Sequence, residues 1–247
     1  MKNTFHLCII IPAFNEASKL DIKAYREFLL KNSLASLLFV NDASTDDTFS
    51  LLEPLKIEFK AQVDILSNKS NIGKAESVRA GMLFAIKNID AVKYAYLDAD
   101  LATSLEECLK VAKSLNEKIQ LSFGSRILTV DSNIQRKAYR HYIGRIVATA
   151  ISNTLKLSIY DTQCGCKVFD KALSNQLFQE PFISKWLFDV ELFFRTMQIL
   201  GREGIASKIH EYPLKRWIDK GESKVQFSYF FKLWLDLFKI RKQYKGV

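Results

Sequence analysis

Two carboxylates, Asp98 and Asp100, close the short apolar run Tyr94-Ala95-Tyr96-Leu97. If that run is a strand, its period of two sends both acids to one side. At the C-terminal end of a parallel strand, that side opens onto the crevice where ligands bind. Facing carboxylates repel unless a cation lies between them. Mg²⁺ is such a cation, because it takes one or two carboxylates together with substrate phosphates. The other reading of the same spacing is a solvated turn that happens to hold two Asp.

Further candidates are spread along the chain. Pro12-Ala13-Phe14-Asn15-Glu16 follows the apolar run Leu7–Ile11, and Asn41-Asp42-Ala43-Ser44-Thr45-Asp46-Asp47-Thr48 follows Leu37–Val40. The second of these is rich in acceptors and offers an N-cap to the next helix. Asn71-Ile72-Gly73-Lys74 is not a P-loop, yet a lysine at a helix start can meet a phosphate; the bland reading is a surface lysine. Leu121–Ser125 reads as a strand ending at Arg126. Arg136 and Arg140, four apart, would share a helix face, either as a solvated charged surface or as a guanidinium fork for a phosphate. Asp189 and Glu191 stand in the apolar run Trp186–Phe194, where unpaired acids are rarely buried. They face a cavity, meet basic partners, or, for Asp189, cap the helix.

The elements that must position these groups alternate. Strand-like runs at 7–11, 37–40, 62–67 and 94–97 are separated by helical patterns near 21–31 and 75–88, and Ser104-Leu105-Glu106-Glu107 is a capping box. Such alternation predicts an α/β domain with a mostly parallel sheet and helices on both faces. The polar loops should then line one sheet edge. No Gly-x-Gly-x-x-Gly follows the first strand, which argues against a dinucleotide cofactor.

Composition narrows the class. The 247 residues are 48% hydrophobic with only 9 Gly and 4 Pro, which excludes low complexity. A formal charge of +9 points to an anionic partner: nucleic acid, an acidic membrane face or a phosphorylated substrate. No nucleic-acid motif is recognised. Neither a signal peptide nor a run of about 18 uncharged apolar residues is found. The four cysteines lack zinc spacing and suggest a reducing compartment, and the isolated histidines are assigned no chemistry. From Arg202 onward, 11 lysines and arginines face 5 acids. Phe227, Phe230, Phe231, Trp234 and Phe238 fall on one helical face, with Lys232, Asp236 and Lys239 opposite. That pattern fits ordinary packing or a helix lying in a membrane interface. Residues 1–220 are therefore expected to form the main domain, and 221–247 a basic aromatic helical extension.

Taken jointly, Pro12-Ala13-Phe14-Asn15-Glu16, Asn41–Asp46, Asn71–Lys74, Asp98-Ala99-Asp100 and Gly124-Ser125-Arg126 resemble the family 2 glycosyltransferases of the GT-A fold. Gln135-Arg136, Arg140, Asp161–Gly165, Trp186, Phe188–Glu191 and Ser223-Lys224 resemble the dolichyl-phosphate β-glucosyltransferases within it, with the dolichyl-phosphate mannosyltransferases as close cousins. The resemblance implies a GT-A domain moving a hexose, glucose first, from a nucleotide sugar such as UDP-glucose to a dolichyl or undecaprenyl phosphate. It places Pro12, Ala13, Asn15, Glu16, Asp42, Lys74, Asp98 and Ala99 around the nucleotide sugar. Asp98 and Asp100 would hold Mg²⁺ or Mn²⁺. Arg126, Arg136, Arg140, Gln163 and Lys224 would bind the acceptor, and Asp100, the three arginines and Asp189 would serve catalysis. The implied location is cytoplasmic and peripheral, on the cytoplasmic face of a membrane.

The sequence departs from the family pattern at Asn41 and Ala43, where Asp and Gly are usual, and at Ala75, where Gly is common. Ala102 stands where the mannosyltransferases offer a further metal ligand, and Cys166 replaces an aromatic residue. The N-terminal membrane helix usual in the glucosyltransferases is not found. Two other functions compete. One is transfer to a saccharide hydroxyl, which needs a general base, with Asp189 or Glu191 as candidates. The other is a scaffold that binds nucleotide or membrane without turnover.

Overall fold

In the computed structural model, which describes residues 4–135, 138–219 and 229–246, the first strand is β1 (Phe5–Ala13). Its apolar side chains feed both faces of the sheet. Cys8 and Ile10 join the core on one side, and Leu7, Ile9 and Ile11 join the core on the other. Such two-sided burial is what an interior parallel strand requires.

The predicted alternation follows: α1 (Ile22–Lys31), β2 (Ala35–Asn41), α2 (Thr48–Glu58), β3 (Val63–Ser67), α3 (Lys74–Asn88), β4 (Ala91–Leu97) and α4 (Leu105–Lys113). Asp21 caps α1 by accepting from the Ala24 N–H. Ser104 caps α4 by accepting from the Glu107 N–H. The expected capping box is only half made, because the Glu107 carboxylate goes to Lys110 and to the Lys215 N–H. Helix α3 lies close against the sheet at Gly81, where a Cβ would fall 2.6 Å from methyls of Ile10 and Val40.

The second half contributes β5 (Leu121–Ser125), β6 (Asn133–Gln135), α5 (Ala138–Leu155), β7 (Cys166–Asp170), α6 (Lys171–Leu177), α7 (Phe188–Leu200), β8 (Ile209–Pro213), β9 (Arg216–Ile218) and α8 (Tyr229–Gln243). Seven strands form one sheet in the order β3-β2-β1-β4-β7-β5-β8. Strand β7 runs antiparallel to β4 and β5; the remaining pairs are parallel. The strand-like runs read from the sequence do not include this central strand, β7. Its direction matters for the site. An antiparallel strand brings its N-terminal end, Cys164–Cys166, to the edge where β1, β2, β4 and β5 end.

Helix α8 packs against the core along one side and leaves part of its aromatic surface exposed. Leu237 and Ile240 are buried in the core, and the Asp236 carboxylate is buried with them, accepting a 2.7 Å hydrogen bond from the Ser184 hydroxyl. Tyr244 adds a stacked contact with Phe194. Trp234 and Phe238 point outward, 42% and 66% exposed. The aspartate face therefore docks and the aromatic face is presented, because a buried serine supplies the carboxylate's donor. Phe227 lies outside the described residues, as do the side chains of Phe230 and Phe231.

Candidate active site

The loops after β1 and β2 are tied to each other. Asn15, with φ +51°, accepts from the Thr45 N–H, and its own N–H donates to the Ser44 hydroxyl. The Glu16 N–H donates to Thr48 Oγ1 at 2.9 Å. Pro12 and Ala13 end the strand beneath them, and the Ala13 carbonyl accepts from the Asp42 N–H. Asp42 is buried, and its carboxylate accepts from the Asn68 side chain and from the N–H groups of Ile72 and Gly73, all within 2.9 Å. In this structure Asp42 thus shapes the loop leading into Lys74, a role that its expected contact with nucleotide did not include.

Strand β4 stops at Leu97, so Asp98 and Asp100 lie in the turn beyond it rather than on the strand. This corrects the period-two argument: Asp98 and Asp100 belong to a turn closed by the Leu101 N–H donating to the Asp98 carbonyl at 3.2 Å, with Leu101 at φ +53°. Burial, and next the charge of Asp98, raise the Asp100 carboxyl above its ordinary value, with a smaller push from Glu16. Asp100 Oδ1 accepts from the Ala102 N–H at 2.9 Å. Ala99 is buried, and its carbonyl takes the Tyr25 hydroxyl.

Lys74, the first residue of α3, places Nζ 2.6 Å from Asp98 Oδ1. The contact is an ion pair without good hydrogen-bond alignment. Burial lowers the Lys74 pKa, but the charges of Asp98, Asp189 and Asp100 more than offset this, so the ammonium is held above its usual value. Acids crowded around one lysine are a place where a divalent cation would relieve repulsion, so Asp98 and Asp100 fit such an ion. Among the described residues no three acids, histidines or cysteines converge on one point. A cation held here would draw its other oxygens from substrate and water, as Mg²⁺ commonly does.

Arg126 follows β5. Its Nε and Nη2 donate to the two oxygens of Asp161 at 2.6 and 2.7 Å, and its guanidinium lies 5.3 Å from the Trp217 ring centre. Asp161 is held in turn by its own N–H, which donates to Glu211. Burial lowers the Arg126 pKa, and Asp161 outweighs it, with Asp98 a further contributor. Arg126 is thus fixed at the same edge, with part of its fork already engaged. Gln163 Nε2 is buried without a hydrogen-bond partner among the described residues. Arg136 and Lys224 lie outside the described residues; Arg140 falls in α5, and its side chain is outside them too.

Asp189 stands apart from the crevice surface. It is 4% exposed in the first turn of α7. Its Oδ1 accepts from the Tyr96 hydroxyl and, at 2.5 Å, from Lys167 Nζ. Glu191 accepts from Arg195, the Tyr244 hydroxyl and the Ile183 N–H. Both acids meet partners, one of the outcomes expected. A carboxylate pinned by an ammonium is poorly placed to take a proton from substrate, and this counts against Asp189 as a base. The residue missed in the sequence is Lys167, fully buried on β7. A lysine inside the strand run Cys-Lys-Val-Phe was its one signal, and the buried acid Asp189 was the partner to seek.

Residues 8–178 match the family model described as Glycosyl transferase family 2. Curated relatives include the dolichyl-phosphate beta-glucosyltransferase of Saccharomyces cerevisiae, 27% identical over 96% of this chain and 75% of that protein. One from Trichomonas vaginalis is 27% identical over 99% of this chain and 75% of that one. Among solved structures, glucosyl-3-phosphoglycerate synthase from Mycobacterium tuberculosis, in complex with Mn²⁺, UDP and glucosyl-3-phosphoglycerate, superimposes with a TM-score of 0.67 at 15% identity. That match covers 98% of this chain and 81% of the other, and it shows the shared fold. With the matched span running from within β1 to just past α6 and taking in the loops of Asn15, Asp42, Lys74, Asp98 and Arg126, the chain belongs to glycosyl transferase family 2 and is a glycosyltransferase.

Proposed function

We propose that the protein transfers glucose from UDP-glucose to a polyprenyl phosphate, dolichyl or undecaprenyl, with inversion at the anomeric carbon. The observation that carries this is the composition of the sheet edge. Asp98, Asp100, Lys74 and Arg126 assemble charge there for a diphosphate and an anionic acceptor. The acids considered as bases, Asp189 and Glu191, are engaged elsewhere. A phosphate acceptor is already anionic at neutral pH and needs no base, whereas a sugar hydroxyl does. The relatives' names point to the same acceptor class and the same sugar.

Each side chain has a task in that reaction. Asn15, Glu16 and Asp42 shape the loops that receive the nucleoside. Lys74 offsets negative charge on the diphosphate as the bond to the sugar breaks, from a helix start whose dipole favours an anion. Arg126, with Arg136, Arg140, Gln163 and Lys224, orients the acceptor phosphate and offsets its repulsion from the donor. Asp98 and Asp100 would hold Mg²⁺ or Mn²⁺, which when bound supplies Lewis-acid stabilisation of the leaving diphosphate. Turnover of an Asp100→Ala protein with UDP-glucose, Mg²⁺ and a short polyprenyl phosphate is expected to be abolished. Near-normal transfer would overturn the assignment.

A peripheral site on the cytoplasmic face of a membrane suits a lipid acceptor. No described helix is long and apolar enough to cross a bilayer. Helix α8 presents Trp234, Leu235 and Phe238 beside exposed Lys239 and Lys242, the make-up of an interfacial helix. In this reading residues 1–220 hold the donor side of the reaction, and 221–247 contribute Lys224 to the acceptor and bring the site to the lipid.

A further inference from the structure

Lys167 has no role in the steps above, yet it is a fully buried cation within reach of the site. It sits on β7 directly opposite Tyr96 of β4. Both side chains turn to one oxygen, Asp189 Oδ1, and the ammonium also donates to the Cys164 carbonyl at 2.9 Å. A buried lysine is costly unless paired and hydrogen-bonded, and here it is both.

The residue after Cys164 is Gly165, and its backbone forms a wall against Asp98. The Asp98 N–H donates to the Gly165 carbonyl at 3.1 Å. A Cβ on Gly165 would fall 2.0 Å from Asp98 Oδ2. One side of the Asp98 carboxylate is therefore set by where this turn lies, and the other by Lys74. We propose that Lys167 is a positioning residue for the diphosphate side of the reaction: by holding the Cys164 carbonyl and Asp189 together, it fixes the Cys164–Gly165 turn that aims Asp98. Groups behind a metal ligand often matter this way, because they fix the orientation of the ligand itself.

The proposal rests on the reading of Asp98 and Asp100 as metal carriers, and the test separates the two. UDP binding is measured by calorimetry with and without Mn²⁺, and Mn²⁺ binding by electron paramagnetic resonance, on the full chain. The variant is Lys167→Met with Asp189→Asn, which removes both buried charges at once and leaves neither unpaired. If that protein does not fold, as judged by thermal unfolding, Lys167→Gln with Asp189→Asn replaces it. Metal-free UDP binding is expected to be unchanged, since the loops of Asn15 and Asp42 are untouched. The Mn²⁺-dependent gain in UDP affinity is expected to fall roughly 10- to 100-fold. A gain equal to that of the unsubstituted protein would overturn the positioning role while leaving the metal reading intact. Losses in step with and without Mn²⁺ would also overturn it, because they would mark a purely structural pair. No Mn²⁺ gain in the unsubstituted protein would remove the metal reading and the proposal together.

Discussion

Lys74 Nζ stands 2.6 Å from Asp98 Oδ1, so the start of α3 and the end of β4 are joined by a charge pair at the edge of the sheet. Without a divalent ion, the lysine is the counter-charge of Asp98. Replacing it by Met should leave the acids of the turn less balanced. We expect Mn²⁺ alone to raise the Tm of Lys74→Met more than that of the unsubstituted chain, and turnover to fall about 10²-fold. Equal Mn²⁺ shifts by thermal fluorimetry would contradict this.

Asp100 gives a pH dependence with a definite sign. Its carboxyl is raised by burial first and by the Asp98 charge second. The folded chain therefore holds that proton more tightly than the unfolded chain. The resulting stabilisation is present at low pH and lost as pH rises through the raised value. In a chelator, Asp100→Asn should be more stable than the unsubstituted protein at neutral pH and should lose that advantage through the carboxylate range. Thermal unfolding as a function of pH checks it, and the same variant should not turn over.

Ala43 adopts φ +56°, in the left-handed region that glycine enters freely. A Cβ in the left-handed region costs about 1 kcal/mol, which glycine avoids. Ala43→Gly should raise the Tm by about 2–4 °C for a chain of this size. A drop in Tm would show that the flexibility gained in the unfolded chain outweighs the relief of strain.

Gly165 has no room for a methyl group beside Asp98. Because the clash is with a carboxylate at the site, Gly165→Ala should cost nucleotide binding in Mn²⁺ more than it costs folding. Calorimetry beside thermal unfolding separates the two effects, and unchanged Mn²⁺-supported binding would show that the turn moves aside freely.

Helix α8 offers paired substitutions with opposite expectations. Trp234 and Phe238 are exposed and Leu237 is buried. Changing both aromatics to Ser should abolish flotation with anionic liposomes and leave the Tm nearly unchanged. Leu237→Ala should instead cost about 2–5 kcal/mol by opening a cavity. If the aromatic variant still floats with liposomes, the membrane contact lies elsewhere.

Local sequence already determined the alternating order of strands and helices through β5, the presence of polar loops at strand ends, and the acid pair Asp98 and Asp100. These are written in short-range patterns: apolar runs of strand length, a cap such as Ser104, and acids placed directly after an apolar run. Only the tertiary structure decided which groups meet. Strand β7 is short, and its lysine disguises it, so the strand that completes the site was not visible along the chain. Whether Asp189 faces substrate or Lys167 depends on a strand 22 residues away in sequence. Whether the aromatic face of α8 turns in or out depends on Ser184, which receives Asp236. Burial of a charge is settled by its partner, and the partner is supplied by folding rather than by sequence neighbours.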